Sequence, residues 1–370
     1  MSHEYSLYGW HLSFFTGKTR GYLNFKGIPF NDVQVNAFDL LYRIPKKTGA
    51  TVMPVVKTSD GQWLQDSTMI VEEIEKRHPE PSAKPNTPKQ LIASMLIEAW
   101  CDEWWIPIAM HYRWSYPENF ELFKRDSGKA LLPFAPNFVR KPFVNRIANM
   151  LRGFLPNVGV IPEQFEMMEA WTHKVLNILE MHFAQHDFLF GNKPTIADFA
   201  LVGPMYGHLN RDPSPKRDLL DVRPHLQAWV NRVHSGKGGT GTLLANDEVP
   251  ETLTPIFETI FTEFYPMIEA IVVKLDEHVD SDNLKKGDTV ARTLGKVSFP
   301  MAHGQFSRAG MPYSVWMVQR IVDQYEKLSL LDQISVAEWL EGLGYGNIMN
   351  TYLGPQLQRD KLQTRLAQYS

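Results

Sequence analysis

Residues 51–77 constrain the fold of this chain more than any other part of the sequence. Pro54 stands at the head of a short β-branched run, and Ser59-Asp60-Gly61 predicts the tight turn of a hairpin. The returning strand leads directly into Asp66 and Ser67, residue types that are typical of a helix start. This order predicts that the backbone before the proline and the N-terminus of the next helix converge on one place.

The chemistry of that place suits a small peptide with a free carboxylate. If the bond before Pro54 is cis, the backbone N–H and C=O of Met53 point outward and can pair with an extended peptide. Ser67 and the unpaired N–H groups of the first helical turn can hold a carboxylate, and Asp66 is placed to take an ammonium. The combination describes a site for γ-glutamyl-cysteinyl-glycine. Taken singly, each motif is equally well explained as a turn proline or an ordinary helix cap.

The residues before this segment predict an α/β domain. Residues 5–8 have the pattern of a strand, residues 21–26 that of a helix, and residues 32–35 that of a second strand. The predicted order is typical of the thioredoxin-like fold: a strand, a helix, a strand, a proline-led hairpin and a last helix.

Several motifs stand in a family-specific order along the first two thirds of the chain. They are Lys18-Thr19-Arg20, the run Lys26 to Phe30, Met53-Pro54, Asp66-Ser67, the run Phe190 to Leu201 and the run Arg223 to Val233. On these residues the chain resembles the glutathione transferase superfamily over residues 4–235, with features of its serine-type, bacterial-like members. The resemblance implies a thioredoxin-like glutathione-binding domain at 1–83 and an all-helical substrate domain at 88–245. Residues 246–370 are left as a helical C-terminal extension.

The resemblance also implies that the site turns the glutathione thiol into a thiolate. Ser13 falls where serine-type members carry their thiolate-binding serine, and Tyr8 lies near the place of the tyrosine in tyrosine-type members. We favour Ser13, because a loop position leaves its hydroxyl free to approach the sulfur, and Thr16 is a weaker third candidate. Lowering a thiol pKa by about two units takes roughly 2.7 kcal/mol, which is close to one hydrogen bond to a charged group. No cysteine stands in this turn, which argues against mixed-disulfide chemistry.

The same resemblance implies contacts for the rest of glutathione and for its co-substrate. Lys18 is a candidate cation for the glycyl carboxylate, as are Lys46 and Lys47, since Val52 stands where the family usually has a lysine. A pocket for a hydrophobic electrophile is expected to be lined by aromatic and methionine side chains, although each of them is equally well explained as core. These side chains are Trp10, Phe14, Trp104 and Met110.

Composition limits the number of domains, the binding partners and the cellular location that are expected. A chain of 370 residues with 44% hydrophobic content can bury the cores of roughly two or three domains. A net charge of −3 gives no electrostatic case for nucleic acid or an anionic membrane, and no apolar run approaches the roughly 20 residues of a membrane helix. Cys101 is the single cysteine, which excludes an internal disulfide and any Cys-rich metal site. We therefore expect a cytoplasmic protein without a metal.

The sequence thus predicts a glutathione transferase that transfers alkyl or aryl groups, with glutathione as co-substrate. Two alternatives stay open: a non-catalytic glutathione-fold binding protein, and a glutathione-dependent isomerase or ether-cleaving enzyme. The resemblance implies a homodimer, which the extension could block. We also expect an irregular segment at 118–157 over the cleft, helices at 251–279 and 311–331, and a loop at 299–306 containing His303.

Overall fold

Residues 5–77 form a four-stranded mixed sheet with helices packed against it. The computed structural model describes residues 4–237 and 239–368. The strand order is β2-β1-β3-β4, with β1 and β2 parallel and the other two pairings antiparallel. The strands are β1 (Tyr5–Gly9), β2 (Phe30–Gln34), β3 (Val55–Lys57) and β4 (Trp63–Gln65). The helices of this domain are α1 (Phe14–Phe25), α2 (Ile44–Thr48), which continues a π-helical turn at Asp39–Arg43, and α3 (Ser67–Arg77). The predicted thioredoxin-like order is confirmed.

A helical domain follows, built around the long helix α4, which packs on α8 and, through α8, on α1. Its helices are α4 (Pro88–Ser115), α5 (Pro117–Leu131), α6 (Asn137–Arg152), α7 (Phe165–Phe183), α8 (Ile196–Pro204), α9 (Pro213–Pro215) and α10 (Pro224–Ser235). The predicted helix start at Thr195 is present as a capping box with Asp198. Asp198 also accepts a hydrogen bond of 2.9 Å from the indole of Trp229, which ties α8 to α10.

The segment at 118–157 is mostly helical, so the prediction of irregular structure there was wrong. Its prolines are compatible with helices, since Pro117 opens α5, where its missing N–H costs nothing. Pro142 lies inside α6, near its exposed start. The two helices pack against a cluster of buried side chains that contains Tyr8 and Trp10. They therefore lie beside the carboxyl end of β1.

Over residues 246–368, the C-terminal extension contains four α-helices and two β-hairpins. Its elements are α11 (Thr254–Thr259), α12 (Tyr265–Ser281), β5 (Lys296–Met301), β6 (Gly304–Ala309), α13 (Pro312–Glu326), α14 (Leu330–Gly342), β7 (Leu357–Asp360) and β8 (Gln363–Leu366). The predicted helix at 251–279 is present, whereas the helix predicted at 311–331 ends at Glu326, and α14 begins at Leu330. The predicted loop at 299–306 is part of the β5–β6 hairpin, with His303 in its turn. In β5, buried side chains alternate with exposed ones, as a strand with one covered face requires.

The extension shares one hydrophobic core with the rest of the chain. Trp104 of α4 lies between Trp171 of α7 and two aromatic rings of the extension, Phe264 and Phe299. The ring centroids of Trp104 and Phe299 are 5.3 Å apart. Within the described residues no helix is both long and apolar enough to cross a bilayer.

Candidate functional site

The strand register brings the predicted site segments to one edge of the sheet. Tyr8 of β1 pairs with Val55 of β3, and Val55 pairs with Gln65 of β4. The residues that follow Tyr8, precede Val55 and follow Gln65 must therefore lie side by side. These are the turn at 10–13, Met53-Pro54 and Asp66-Ser67.

Met53 presents its backbone at this edge. The Met53-Pro54 bond is cis. Strand β3 begins only at Val55, and Met53 has no backbone hydrogen bond in the described part of the chain. Its N–H and C=O are thus available to an added peptide strand.

Ser13 caps the N-terminus of α1. Its hydroxyl oxygen accepts a hydrogen bond of 3.3 Å from the N–H of Thr16, and its side chain is half-buried. No acceptor for the hydroxyl proton lies among the described residues, so Ser13 can donate to a ligand. Tyr8 is 8% exposed, and its ring stacks on Trp63 with centroids 5.0 Å apart.

Arg113 of α4 holds the turn that carries Ser13. Its buried guanidinium donates to the carbonyl oxygen of Leu12, the residue before Ser13, and to that of Gly207. Its Nε lies 2.9 Å from Oδ2 of Asp212, which is fully buried. Burial raises the pKa of Asp212, although the positive charge of Arg113 opposes that rise. This pair is not apparent from the sequence, because nothing local links positions 113 and 212 to a turn at position 12.

Asp66 forms a hydrogen bond and an ion pair with residues of the C-terminal extension. Its φ of 71° is uncommon for a residue other than glycine, and such residues concentrate at ligand sites. Its Oδ1 accepts from the N–H of Thr68 at 3.2 Å and from the hydroxyl of Tyr313 at 3.1 Å. Its Oδ2 accepts from Nη2 of Arg359 at 3.0 Å, and the two side chains of this ion pair are only 4% and 6% exposed. The structure therefore gives Asp66 a cation from within the chain, where the sequence predicted a ligand ammonium.

Ser67 is the first residue of α3 and is 6% exposed. Its hydroxyl makes no hydrogen bond to the described residues. The first-turn N–H groups of a helix lack intrahelical acceptors, so this end of α3 offers donors to an anion.

Lys18 does not reach the peptide site, contrary to the sequence-based expectation. Its side chain is fully buried, and its Nζ lies 2.9 Å from Oε1 of Glu98 and 2.5 Å from Oδ2 of Asp102. Burial by itself would lower the pKa of Lys18, but the two carboxylates outweigh burial and raise it. Arg320 of the extension joins this cluster through Glu98, at 3.4 Å, and Glu72, at 2.7 Å. Lys18 is therefore a structural cation between α1 and α4.

The four side chains predicted to line the electrophile pocket are divided between two clusters. Trp10 and Met110 lie in the cluster beneath α5 and α6, together with Tyr8 and Met53. Trp104, 2% exposed, lies instead in the main core, and Phe14 belongs to that core as well. Trp10 and Met110 are thus next to the peptide site, whereas Trp104 packs between the helical domain and the extension.

Comparison with protein families gives two matches. Residues 7–82 match the model of the glutathione S-transferase N-terminal domain, and residues 161–236 match that of the glutathione S-transferase C-terminal domain. The C-terminal extension lies outside both matches. No curated protein matches the chain.

The chain is also similar to several solved structures. A glutathione S-transferase from Rhodospirillum rubrum F11 is 18% identical, with 67% of this chain and 96% of that chain covered and a TM-score of 0.41. A glutathione S-transferase from Methylobacterium radiotolerans, in complex with glutathione sulfonate, is 19% identical, with 67% and 100% covered and a TM-score of 0.39. The β-etherase LigF from Sphingobium sp. strain SYK-6 is 20% identical, with 70% and 100% covered and a TM-score of 0.43.

Proposed function

Because the chain belongs to the glutathione transferase superfamily, we propose that it binds glutathione at the sheet edge, ionises its thiol through Ser13 and transfers an alkyl or aryl group to the sulfur. The observation that carries this proposal is the convergence of the Ser13 hydroxyl, the unpaired backbone of Met53 and the N-terminus of α3. These groups match the thiol, the peptide backbone and a carboxylate of one tripeptide.

In this mechanism each group has a defined task. The backbone of Met53 pairs with the cysteinyl residue of glutathione and fixes the position of the sulfur. The thiol proton leaves to solvent, and the Ser13 hydroxyl donates a hydrogen bond to the thiolate. The sulfur then attacks the electrophilic carbon, an S–C bond forms, and the leaving group departs with the electron pair of the broken bond.

Ser13 suits this task for two reasons. The N–H of Thr16 already donates to its oxygen, which polarises the hydroxyl and leaves its proton for the sulfur. The residue also stands at the N-terminus of α1, where the helix dipole favours a negative charge. A hydrogen bond to a charged group contributes about 1.5–3 kcal/mol, which is enough to lower a thiol pKa by one to two units.

The electrophile is proposed to lie against the cluster formed by Tyr8, Trp10 and Met110, under helices α5 and α6. Aromatic and thioether side chains favour flat apolar molecules there. A homodimer and a cytoplasmic location stay predictions.

A second candidate function is a non-catalytic binding protein. The observation that favours it is the ion pair between Asp66 and Arg359, which places a charged group of the chain where the sequence predicted part of the ligand. An isomerase or an ether-cleaving enzyme would use the same thiolate. These two reactions and the transfer of an alkyl or aryl group all begin with ionisation of the glutathione thiol.

The test is the pH dependence of glutathione conjugation to an activated aryl halide, used as a probe electrophile. The uncatalysed rate rises up to the free thiol pKa of about 8.5, and we expect kcat/KM for the protein to level off one to two units lower. Ser13→Ala should remove this displacement, whereas Tyr8→Phe and the exposed turn variant Ser59→Ala should retain it. A rate equal to that without protein would favour the binding protein, and loss of the displacement in Tyr8→Phe alone would move the role to Tyr8.

A further inference from the structure

The outer surface of the helical hairpin formed by α5 and α6, residues 117–152, exposes large apolar side chains. Phe134, in the loop between the two helices, is 99% exposed, more than any other large apolar side chain of the described residues, and Phe138 is 78% exposed. Three more exposed side chains lie along α6 or just past its end: Val139, Met150 and Phe154. They are not part of the core, because the hairpin packs on the domain through other side chains, among them Phe123, Leu131 and Ala148.

The same segment carries a local excess of positive charge. Residues 127–162 contain five lysines and arginines and no aspartate or glutamate, although the whole chain has a net charge of −3. These cations are Lys129, Arg140, Lys141, Arg146 and Arg152. Lys129, Lys141 and Arg146 are exposed, and within the described part of the chain none of the three forms an ion pair. The net charge of the whole chain therefore hides a cationic surface.

A cleft of about 340 Å³ between α5 and α6 concentrates this charge. Its only lining carboxylate, among the described residues, is that of Glu121, which pairs with Lys124. Arg125 also lines the cleft and pairs with the neighbouring Asp126. The other lining cations lack a carboxylate partner in the described chain; they are Lys129, Arg140 and Lys141. Cations held this close repel one another, and an anion in the cleft would relieve the repulsion.

Arg140 connects the cleft to the exposed loop. Its Nε donates to the carbonyl oxygen of Leu132 at 2.8 Å, and its Nη2 donates to that of Pro133. Phe134 follows directly in the chain. The cationic cleft and the most exposed aromatic side chain thus lie next to each other, so one flat partner can contact both.

We propose that this surface docks the protein on an anionic lipid bilayer. Phe134 and Phe138 enter the boundary between headgroups and acyl chains, while the cations of the cleft and of α6 contact the phosphate groups of anionic lipids. Helices that lie in a membrane interface combine exposed aromatic side chains with lysine and arginine in this way. Docking is separate from glutathione transfer and does not rest on it. Neither family match covers α5 or α6, since the matches span residues 7–82 and 161–236.

A bilayer fits this surface better than nucleic acid or a second copy of the chain. Proteins that bind single-stranded nucleic acid place aromatic side chains along the cationic groove, where bases stack on them. Here no aromatic side chain lines the cleft, and Phe134 projects from the loop beside it. A symmetric contact between two copies would bring the same cations together without carboxylates to pair with them.

The test is co-sedimentation of the full chain with lipid vesicles. One set consists of phosphatidylcholine alone, and in the other about one third of the lipid is phosphatidylglycerol. We expect the partition coefficient to be at least about tenfold larger for the anionic vesicles. It should fall at least about fivefold when the ionic strength rises from about 0.05 M to about 0.5 M, because salt screens the cations.

Two double variants separate the apolar from the ionic contribution. Phe134→Ser with Phe138→Ser should weaken binding to anionic vesicles at least about tenfold and leave the salt dependence in place. Lys129→Gln with Lys141→Gln should weaken it at least about tenfold and reduce the salt dependence. All four side chains are exposed, so the denaturant unfolding of both variants should match that of the unaltered protein.

Matched controls lie in the C-terminal extension. Leu330 and Leu331 are 73% and 78% exposed, and Lys286 and Lys296 are exposed as well. Leu330→Ser with Leu331→Ser, and Lys286→Gln with Lys296→Gln, should bind the anionic vesicles like the unaltered protein.

A polarity-sensitive dye shows whether position 134 enters the bilayer. Cys101 is the single cysteine of the chain and is fully buried, so a cysteine introduced at the surface is labelled selectively. The emission of the dye on Phe134→Cys should shift to the blue when anionic vesicles are added. The same dye on Leu331→Cys should not respond.

Four results would overturn the inference. They are no binding to anionic vesicles, equal binding to both vesicle types, binding that neither hairpin double variant weakens, and equal losses in the control variants. Binding of a single-stranded oligonucleotide without vesicle binding would assign the surface to nucleic acid instead. A dimer that forms without vesicle binding and that Phe134→Ser with Phe138→Ser dissociates would assign it to a second copy. None of these measurements needs glutathione, so their failure leaves the proposed function untouched.

Discussion

Nη2 of Arg359 lies 3.0 Å from Oδ2 of Asp66, although 293 residues separate them in the sequence. Tyr313 donates to the other carboxylate oxygen of Asp66. The two family matches end before either extension residue, so the contact joins a part of the chain with a known family pattern to a part without one. The candidate peptide site therefore includes the extension.

Replacing Lys18 should destabilise the fold without weakening the ligand site. Lys18→Met leaves Glu98 and Asp102 buried without their shared cation, and removing one partner of a buried pair costs about 3–5 kcal/mol. Urea unfolding measures this loss, and adding Asp102→Asn should recover part of it. Lys286→Met, on an exposed side chain of the extension, is the matched control. Unchanged stability with weaker glutathione binding would restore Lys18 as a ligand residue.

The Arg113–Asp212 pair should behave as one unit. Arg113→Gln and Asp212→Asn each leave a buried partner unsatisfied, so each should cost about 3–5 kcal/mol of unfolding free energy. The double variant should cost less than the sum, with a coupling of about 0.5–3 kcal/mol in a double-mutant cycle. Simple additivity would contradict a direct energetic interaction between the two side chains.

Glu103 should make stability depend on pH. It is 2% exposed, accepts from the hydroxyl of Ser314, and burial raises its pKa from 4.5 to about 7, against the opposing charge of Arg308. The folded state thus holds the proton more tightly than the unfolded state. The proton on Glu103 contributes to the free energy of unfolding in full below pH 4.5. This contribution, about 3 kcal/mol, is lost as the pH rises to about 7.

Glu103→Gln should reduce this fall in stability, because glutamine does not titrate. Denaturant unfolding of both proteins is compared at pH 5 and pH 8. Asp102 titrates in a similar range but is unchanged in the variant, so the difference between the two proteins reports on Glu103. An equal fall in both proteins would contradict the assignment.

Phe299 should couple the extension to the helical domain. The ring is 2% exposed and packs on Trp104, so Phe299→Ala should cost about 3–5 kcal/mol. The exposed variant Val273→Ala should stay within about 0.5 kcal/mol. If Phe299→Ala lowers stability no more than Val273→Ala, the extension is not part of the common core.

The sequence predicted what depends on local patterns. The Pro54-led hairpin, the start of α3 after Asp66, and the Thr195 capping box all depend on residues within a few positions of one another, and all are present. The β5–β6 hairpin, which was predicted to be a loop at 299–306, also has a local signal in the alternation of Val297, Phe299 and Met301.

The sequence could not predict contacts between distant segments. Arg359 and Tyr313 reach Asp66 only because the extension packs on α4, and Arg113 reaches the turn before Ser13 from the far end of that helix. For Lys18, the sequence predicted a ligand contact that the structure does not have. Its position in a family motif suggested a ligand contact, but burial between Glu98 and Asp102 is decided by how α1 packs on α4.

The most direct measurement is the ultraviolet thiolate absorbance of glutathione bound to the unaltered protein as a function of pH. The pKa of the bound thiol should lie one to two units below its free value of about 8.5, and it should return toward that value in Ser13→Ala. Glutathione that binds with an unshifted thiol pKa would contradict thiol activation by Ser13, because the site would then hold the peptide without activating it.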